Sequence, residues 1–154
     1  MNLWPASGDR PLSKLIESQA EFQVLAEQRL VEAKALLDLE QWNGAYYLAG
    51  YAVELALKAC IIKTLMVTDA FPKKEFSKDC YTHSIVTLVK QAKLDDALKL
   101  AQDADPEFQS NWVIAKDWNE EKRYHRINQD EAETLYVAIA DFKHGVLPWI
   151  KTQW

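Results

Sequence analysis

The run from Gln41 to Val67, QWNGAYYLAGYAVELALKACIIKTLMV, is the longest apolar stretch of the chain, and it limits most sharply what the chain can fold into. Ala45, Ala49, Ala52 and Ala56 recur at helical spacing with Gly50 beside them, a small-residue stripe that lets another helix approach closely. Leu48, Leu55, Ala59 and Ile62 cover a neighbouring face, which Val53, Leu57, Cys60 and Ile61 widen. A helix that is apolar almost all round belongs in the middle of a core. The exceptions are Glu54 and Lys58, spaced so that they can pair across one turn. The commoner role for such a pair is a salt bridge at the rim of the core; the sharper one is a polar anchor facing a groove. The run is long enough to span a bilayer. Glu54 and Lys58 would then lie near mid-bilayer at high cost, and Lys63 and the Tyr-rich start also fit poorly. The expectation is a core helix of a water-soluble protein.

The flanking segments read as further helices. Residues 1–12 hold two prolines and a Ser-Gly-Asp cluster, an irregular leader from which Trp4 can pack back onto the domain. Ser13 is a candidate cap for a first helix running to about Leu39, with Leu15, Phe22, Leu25, Ala26, Ala33, Leu36 and Leu37 on one face. The short break before the apolar run makes these two helices antiparallel neighbours. Residues 68–82 form a polar loop broken by Pro72, with Lys73, Lys74 and Lys78 giving it a basic bias; a solvated loop is the plainer reading and a phosphate-contacting flap the other. Thr82 is placed to cap a helix over residues 83–92, Asp95 another over residues 96–103, and Asp105-Pro106 opens a third running to about Trp118. A last helix is expected over residues 129–153, with Ala132, Leu135, Ile139, Phe142, Val146 and Trp149 on one face and Gly145 and Pro148 loosening its end. The predicted architecture is all-α: an up-and-down antiparallel bundle of two long helices, shorter middle ones and a long C-terminal helix, forming one domain over residues 13–154.

Bulk properties exclude several classes of function. A formal charge of −5 rules out a surface that is basic all over, so any contact with nucleic acid needs a local basic patch. No apolar signal sequence opens the chain, and a cytoplasmic location is expected. Cys60 and Cys80 are too few for a disulfide framework or a zinc site, and Cys60 reads as a small core residue. His83, His125 and His144 lie far apart in sequence and belong to no metal-ligand pattern, so neither metal nor cofactor is expected. Four glycines leave no phosphate-cradling loop.

The stretch that remains is Lys122-Arg123-Tyr124-His125-Arg126. Arginine holds a phosphate with two parallel hydrogen bonds and stays charged. Histidine titrates near neutrality and moves a proton. Tyrosine stacks on a base or donates a hydrogen bond. Such residues can bind a phosphodiester and, with a base for the ribose 2′-OH and an acid for the leaving oxygen, cleave it without a metal. The plainer reading is a solvated junction whose basic residues are offset by Glu120 and Glu121.

Three segments together carry a family resemblance: AYYLAGYAVELALKACI at 45–61, YTHSIVTLVKQA at 81–92, and the RYH stretch ahead of the last helix. They resemble the HEPN domain, the small helical domain of higher eukaryotes and prokaryotes associated with nucleotide or nucleic-acid binding. The most specific part is the run carrying Tyr46, Ala49, Glu54, Lys58 and Ala59, and His83 matches the family's His that opens a short apolar helix. The resemblance spans about Ser13 to Trp149. It implies a helical bundle, a homodimer with a cleft at its interface, and a nucleotide- or RNA-associated role in toxin–antitoxin, phage-defence or stress systems. A minimal nucleotidyltransferase is an implied partner for some members. Active members are metal-independent ribonucleases carrying an Arg and then a His with four to six residues between them. Here His125 follows Arg123 by only two positions, and His144 lies much further on. The implied reading is a binding module in which Lys122, Tyr124, Arg126, Glu54, Lys58 and His83 meet the nucleotide or RNA. The alternatives are a divergent ribonuclease, with Arg123 as phosphate clamp and His125 as proton carrier, and a module that holds a nucleotidyltransferase.

Overall fold

A computed structural model describes residues 18–65 and 81–154. The expected leader with Trp4, the Ser13 cap, the lysines of the 68–82 loop and Cys80 lie outside the described residues. Among those described there are seven α-helices and no strand: α1 (Gln19–Asp38), α2 (Trp42–Thr64), α3 (Ile85–Gln91), α4 (Asp95–Ala104), α5 (Pro106–Lys116), α6 (Gln129–Ala140) and α7 (Val146–Lys151). A 3-10 helix over Glu120–Tyr124 joins α5 to α6. The all-α expectation holds.

The helices start where side chains satisfy the first backbone N–H groups. Ser18 caps α1 in a reciprocal box with Glu21, and Asn128 does the same for α6 with Glu131. Asp105 caps α5 through the amides of Glu107 and Phe108, with Pro106 at the first helical position as expected. Two start sites differ from the sequence reading. Ser84, not Thr82, caps α3; Thr82 instead accepts from the Ser84 amide through its hydroxyl. Asp95 is the first residue of α4 rather than its cap, and sits with Asp96 where the helix dipole favours acids. α1 turns into α2 through Glu40, which adopts a left-handed φ of 58° so that the Gln41 amide reaches the Leu36 carbonyl at 2.8 Å.

α2 is the spine. From Ala52 to Ile62 every residue is buried, and α1, α3, α6 and α7 all pack on it. The helix has the length and composition of a membrane span, but its apolar surface is already covered by the fold. The small-residue stripe serves a purpose other than close helix contact at Gly50. The Trp118 indole lies flat against that glycine, so a Cβ there would fall 2.2 Å from the ring. Burial pushes the Cys60 thiol up to about 12, the behaviour of an inert core residue.

The long C-terminal helix is the part of the fold that the structure corrects. It is two helices, α6 and α7, broken at residues 141–145. The Asp141 carboxylate accepts from the amides of Lys143 (3.0 Å) and His144 (2.7 Å), a local turn that competes with helix. Gly145 follows because a Cβ would meet the Asp141 carbonyl at 2.3 Å. Pro148 then falls in the first turn of α7, where its missing N–H is no loss. The break rotates the periodic pattern, so Phe142, expected on the buried face, is 89% exposed while Val146, Leu147 and Ile150 are buried.

Candidate functional site

The expected site residues fall into two groups, one on and beside the middle of α2 and one in and just after the 3-10 helix. Glu54 and Lys58 project from the middle of α2. The Lys58 ammonium donates to Glu54 Oε1 at 2.8 Å, with the two side chains 1% and 11% exposed. His83, just ahead of α3, completes this group. Its Nδ1 lies 3.0 Å from both Glu54 carboxylate oxygens, and its side chain is 46% exposed. The pair that the spacing predicted is therefore formed, and buried more deeply than a rim salt bridge. A buried carboxylate with no partners would be very costly; here a lysine and a histidine both serve it. The histidine that fixes one ring nitrogen on that carboxylate leaves Nε2 on the far side of the ring.

The second group is the 3-10 helix. Arg123, Tyr124, His125 and Arg126 are exposed and Lys122 half-buried. Asn43, in the first turn of α2, ties the segment down: its side chain donates to the His125 carbonyl and accepts from the Ile127 amide at 3.1 Å. The Arg123 guanidinium sits 4.9 Å from the centre of the Tyr124 ring. Hydrogen bonding to Tyr124 first, and to Tyr47 to a smaller degree, raises Arg123 above its ordinary value.

Tyr47 and Tyr51 join the two groups, and the sequence reading gave neither a role. Their rings stack at 6.0 Å, and Tyr47 also leans on Trp118 at 5.7 Å. Burial, then the nearby Glu54 carboxylate, pushes the Tyr51 hydroxyl up, while Arg29 on α1 acts in the opposite direction. Tyr47, Tyr51, Glu54 and Lys58 are separated by four, three and four residues, one stripe along α2. That spacing is visible in the sequence and is the signal that could have found the two tyrosines. From Tyr47 to Glu54 the helix rises about 10 Å. Arg123 and His83 thus flank a strip of two half-buried tyrosines and do not converge on one atom. No group of residues able to hold a metal ion occurs among the described residues.

His144 lies elsewhere. Its Nδ1 is 2.7 Å from Asp105 Oδ2 and its Nε2 3.2 Å from Glu107, so it staples the start of α5 to the α6–α7 corner. The hydrogen bond to Asp105 raises His144 and lowers Asp105. No protein-family model, curated protein or solved structure matches the chain.

Proposed function

We propose that this chain is a HEPN-type helical module that binds RNA or a nucleotide along the α2 stripe, in the setting of a toxin–antitoxin or defence system. One observation carries the reading: Arg123, Tyr47, Tyr51 and the Glu54-bound His83 form a continuous strip on and beside a single helix. A cation at one end, stackable rings between and an imidazole at the other suit a short single strand, whose bases stack on aromatics while its phosphates meet arginine. The acidic balance of the whole chain makes such binding weak and salt-sensitive, so the contacts must be local. Anisotropy of a labelled single-stranded RNA at low salt tests it. Arg123→Ala and Tyr124→Ala are each expected to weaken binding about tenfold. Lys99→Ala, which removes an exposed α4 lysine paired with Asp103, should leave it unchanged. Failure of the unaltered chain to bind either RNA or free nucleotides sinks the reading.

A second reading, metal-independent RNA cleavage, is favoured by the His83–Glu54 contact. A histidine held by a carboxylate is oriented for proton transfer. His83 has that partner, whereas the anchor at His125 is its backbone carbonyl. In this reading His83 Nε2 takes the proton of the 2′-OH as that oxygen bonds to phosphorus. The phosphorus–5′-oxygen bond breaks, water protonates the leaving oxygen, and a cyclic phosphate remains. EDTA-resistant cleavage lost in His83→Ala and kept in His125→Ala supports it; the reverse pattern returns the role to His125.

A further inference from the structure

α1 and α2 pack antiparallel in a register that one contact fixes. Leu36 Cδ1 lies 2.9 Å from where a Cβ on Gly44 would stand. Seven residues back along α1 from Leu36 is Arg29, and seven forward along α2 from Gly44 is Tyr51. Seven residues make about two turns, so each lies on the same face of its helix as that contact, and Arg29 comes level with Tyr51. The Tyr51 hydroxyl is raised by burial and by Glu54, and Arg29 works against that rise, as a neighbouring cation does. The Arg29 side chain is 28% exposed, and its buried Nε has no hydrogen-bond partner among the described residues. Its Nη1 lies 3.0 Å from Glu32 Oε2 one turn along α1, and Glu32 is 44% exposed. An exposed pair of this kind is worth little, whereas a buried donor without a partner is costly. The Glu32 contact alone therefore does not account for an arginine at this place.

We propose that Arg29 meets a second phosphate of the ligand, next to the one held by Arg123, so that the strip takes a single strand with at least two phosphodiester groups and not a mononucleotide. The inference rests on the strip reading above, to which it adds one residue and a minimum length. Arg123 is hydrogen-bonded to Tyr47, and Arg29 is level with Tyr51. From Tyr47 to Tyr51 the helix rises about 6 Å. That rise is close to the sugar–phosphate repeat of an extended strand and wider than the gap between the joined phosphates of a nucleoside diphosphate. The two tyrosine rings stack on each other at these levels, and aromatic rings carry bases of any sequence. The guanidinium fork that faces the Glu32 carboxylate suits a phosphate in the same way. Glu32 is then a stand-in that the phosphate displaces. The other acid beside Tyr51 is Glu54, which Lys58 and His83 already hold, so it does not compete for Arg29.

Anisotropy of a short labelled oligouridylate at several salt concentrations, with unlabelled UMP as competitor, tests it. Arg29→Met keeps the apolar stem and removes the charge. It should weaken oligouridylate binding about tenfold and make the logarithmic salt slope shallower by about 0.7, the share of one phosphate of a single strand. UMP carries one phosphate, and its dissociation constant should differ by less than about twofold between the two chains. Glu32→Gln leaves Arg29 in place without its carboxylate and should tighten oligouridylate binding about threefold. Asp103→Asn, which removes an exposed acid of α4, should give no such gain. Circular dichroism reports whether each variant is folded; if Arg29→Met is not, Glu32→Gln carries the test. Arg29→Met binding oligouridylate as the unaltered chain does, while Arg123→Ala binds it more weakly, overturns the inference and leaves the strip reading standing. So does an equal loss for UMP and oligouridylate, or Glu32→Gln binding no tighter than Asp103→Asn. An unaltered chain that binds neither probe removes the strip reading itself, and this inference with it.

Discussion

His83 Nδ1 is equidistant, at 3.0 Å, from the two carboxylate oxygens of Glu54, so a single buried acid is shared between an imidazole and the Lys58 ammonium. The energetic weight of that arrangement lies in what happens when the acid is removed. Glu54→Gln keeps the shape but deprives a side chain only 11% exposed of its carboxylate. Breaking such a pair from one side costs about 3–5 kcal/mol. Replacing both partners, as Glu54→Leu with Lys58→Met, is expected to cost less than the single change. Urea unfolding of the three chains checks the ordering; a Glu54→Gln penalty below about 1 kcal/mol would mean that the charge is better solvated than its burial implies.

Gly50→Ala tests the seating of Trp118. The added methyl would meet ring atoms at 2.2–2.3 Å, and the neighbour is a rigid indole buried on all sides. Overpacking of this kind costs about 1–3 kcal/mol. A lower melting temperature with a changed tryptophan emission is the expected result. Trp118→Leu should recover part of the loss in the Gly50→Ala background and not in the unaltered chain.

The α2 core was legible because its apolar pattern is long and unbroken, and the Glu54–Lys58 pair because one turn separates the two residues. Asp105-Pro106 was legible for the same local reason. The break in the C-terminal helix was not, because Ala132 to Trp149 keeps a helical period through Asp141 and Gly145. What ends α6 is the local Asp141 turn, which competes on nearly equal terms with continued helix. The family resemblance had drawn Glu54, Lys58 and His83 together. It gave no means of seeing that Arg123 comes to lie beside Tyr47, since that contact joins α2 to the 3-10 helix and is a tertiary fact. His144 was seen only as a residue of the last helix, whereas its partners lie on α5.

Glu40→Gly should stabilise the α1–α2 turn. Glu40 holds a φ of 58°, a region that costs a residue with a Cβ about 1–2 kcal/mol and glycine almost nothing. Glycine loses more chain entropy on folding, so the net gain expected is about 0.5–1 kcal/mol. Thermal unfolding of the variant checks it, and a loss of stability would mean that the Glu40 side chain makes a compensating contact.

The His144–Asp105 staple predicts a pH signature. His144 is raised in the folded state by its hydrogen bond to Asp105, so its contribution is complete below the ordinary histidine value and fades as pH rises through the raised one. Asp105 is lowered, chiefly by the same contact, so its contribution is complete above the ordinary carboxylate value and fades as pH falls through the lowered one. The window is therefore mildly acidic. Melting temperatures of the unaltered chain and His144→Gln should differ most between those two values and converge in alkaline buffer. A gap that stays constant into alkaline pH would assign the stabilisation to packing rather than charge.

Asn43 links the fold to the proposed binding strip, because one side chain in the first turn of α2 serves both the His125 carbonyl and the Ile127 amide. Asn43→Ala removes both contacts at a cost of about 1–2 kcal/mol. The loss is expected to be local, since Ile127 is buried and α6 has its own capping box. Hydrogen exchange at the Ile127 amide should quicken while α2 amides keep their protection. If the Arg123–Tyr124 strip binds RNA because this anchor holds it in place, the same variant binds more weakly than the unaltered chain although no cation has been removed. Its salt dependence should be unchanged, because the number of phosphate contacts is the same. A shallower salt slope would instead mean that Arg123 had left its place beside Tyr47 and no longer met the backbone.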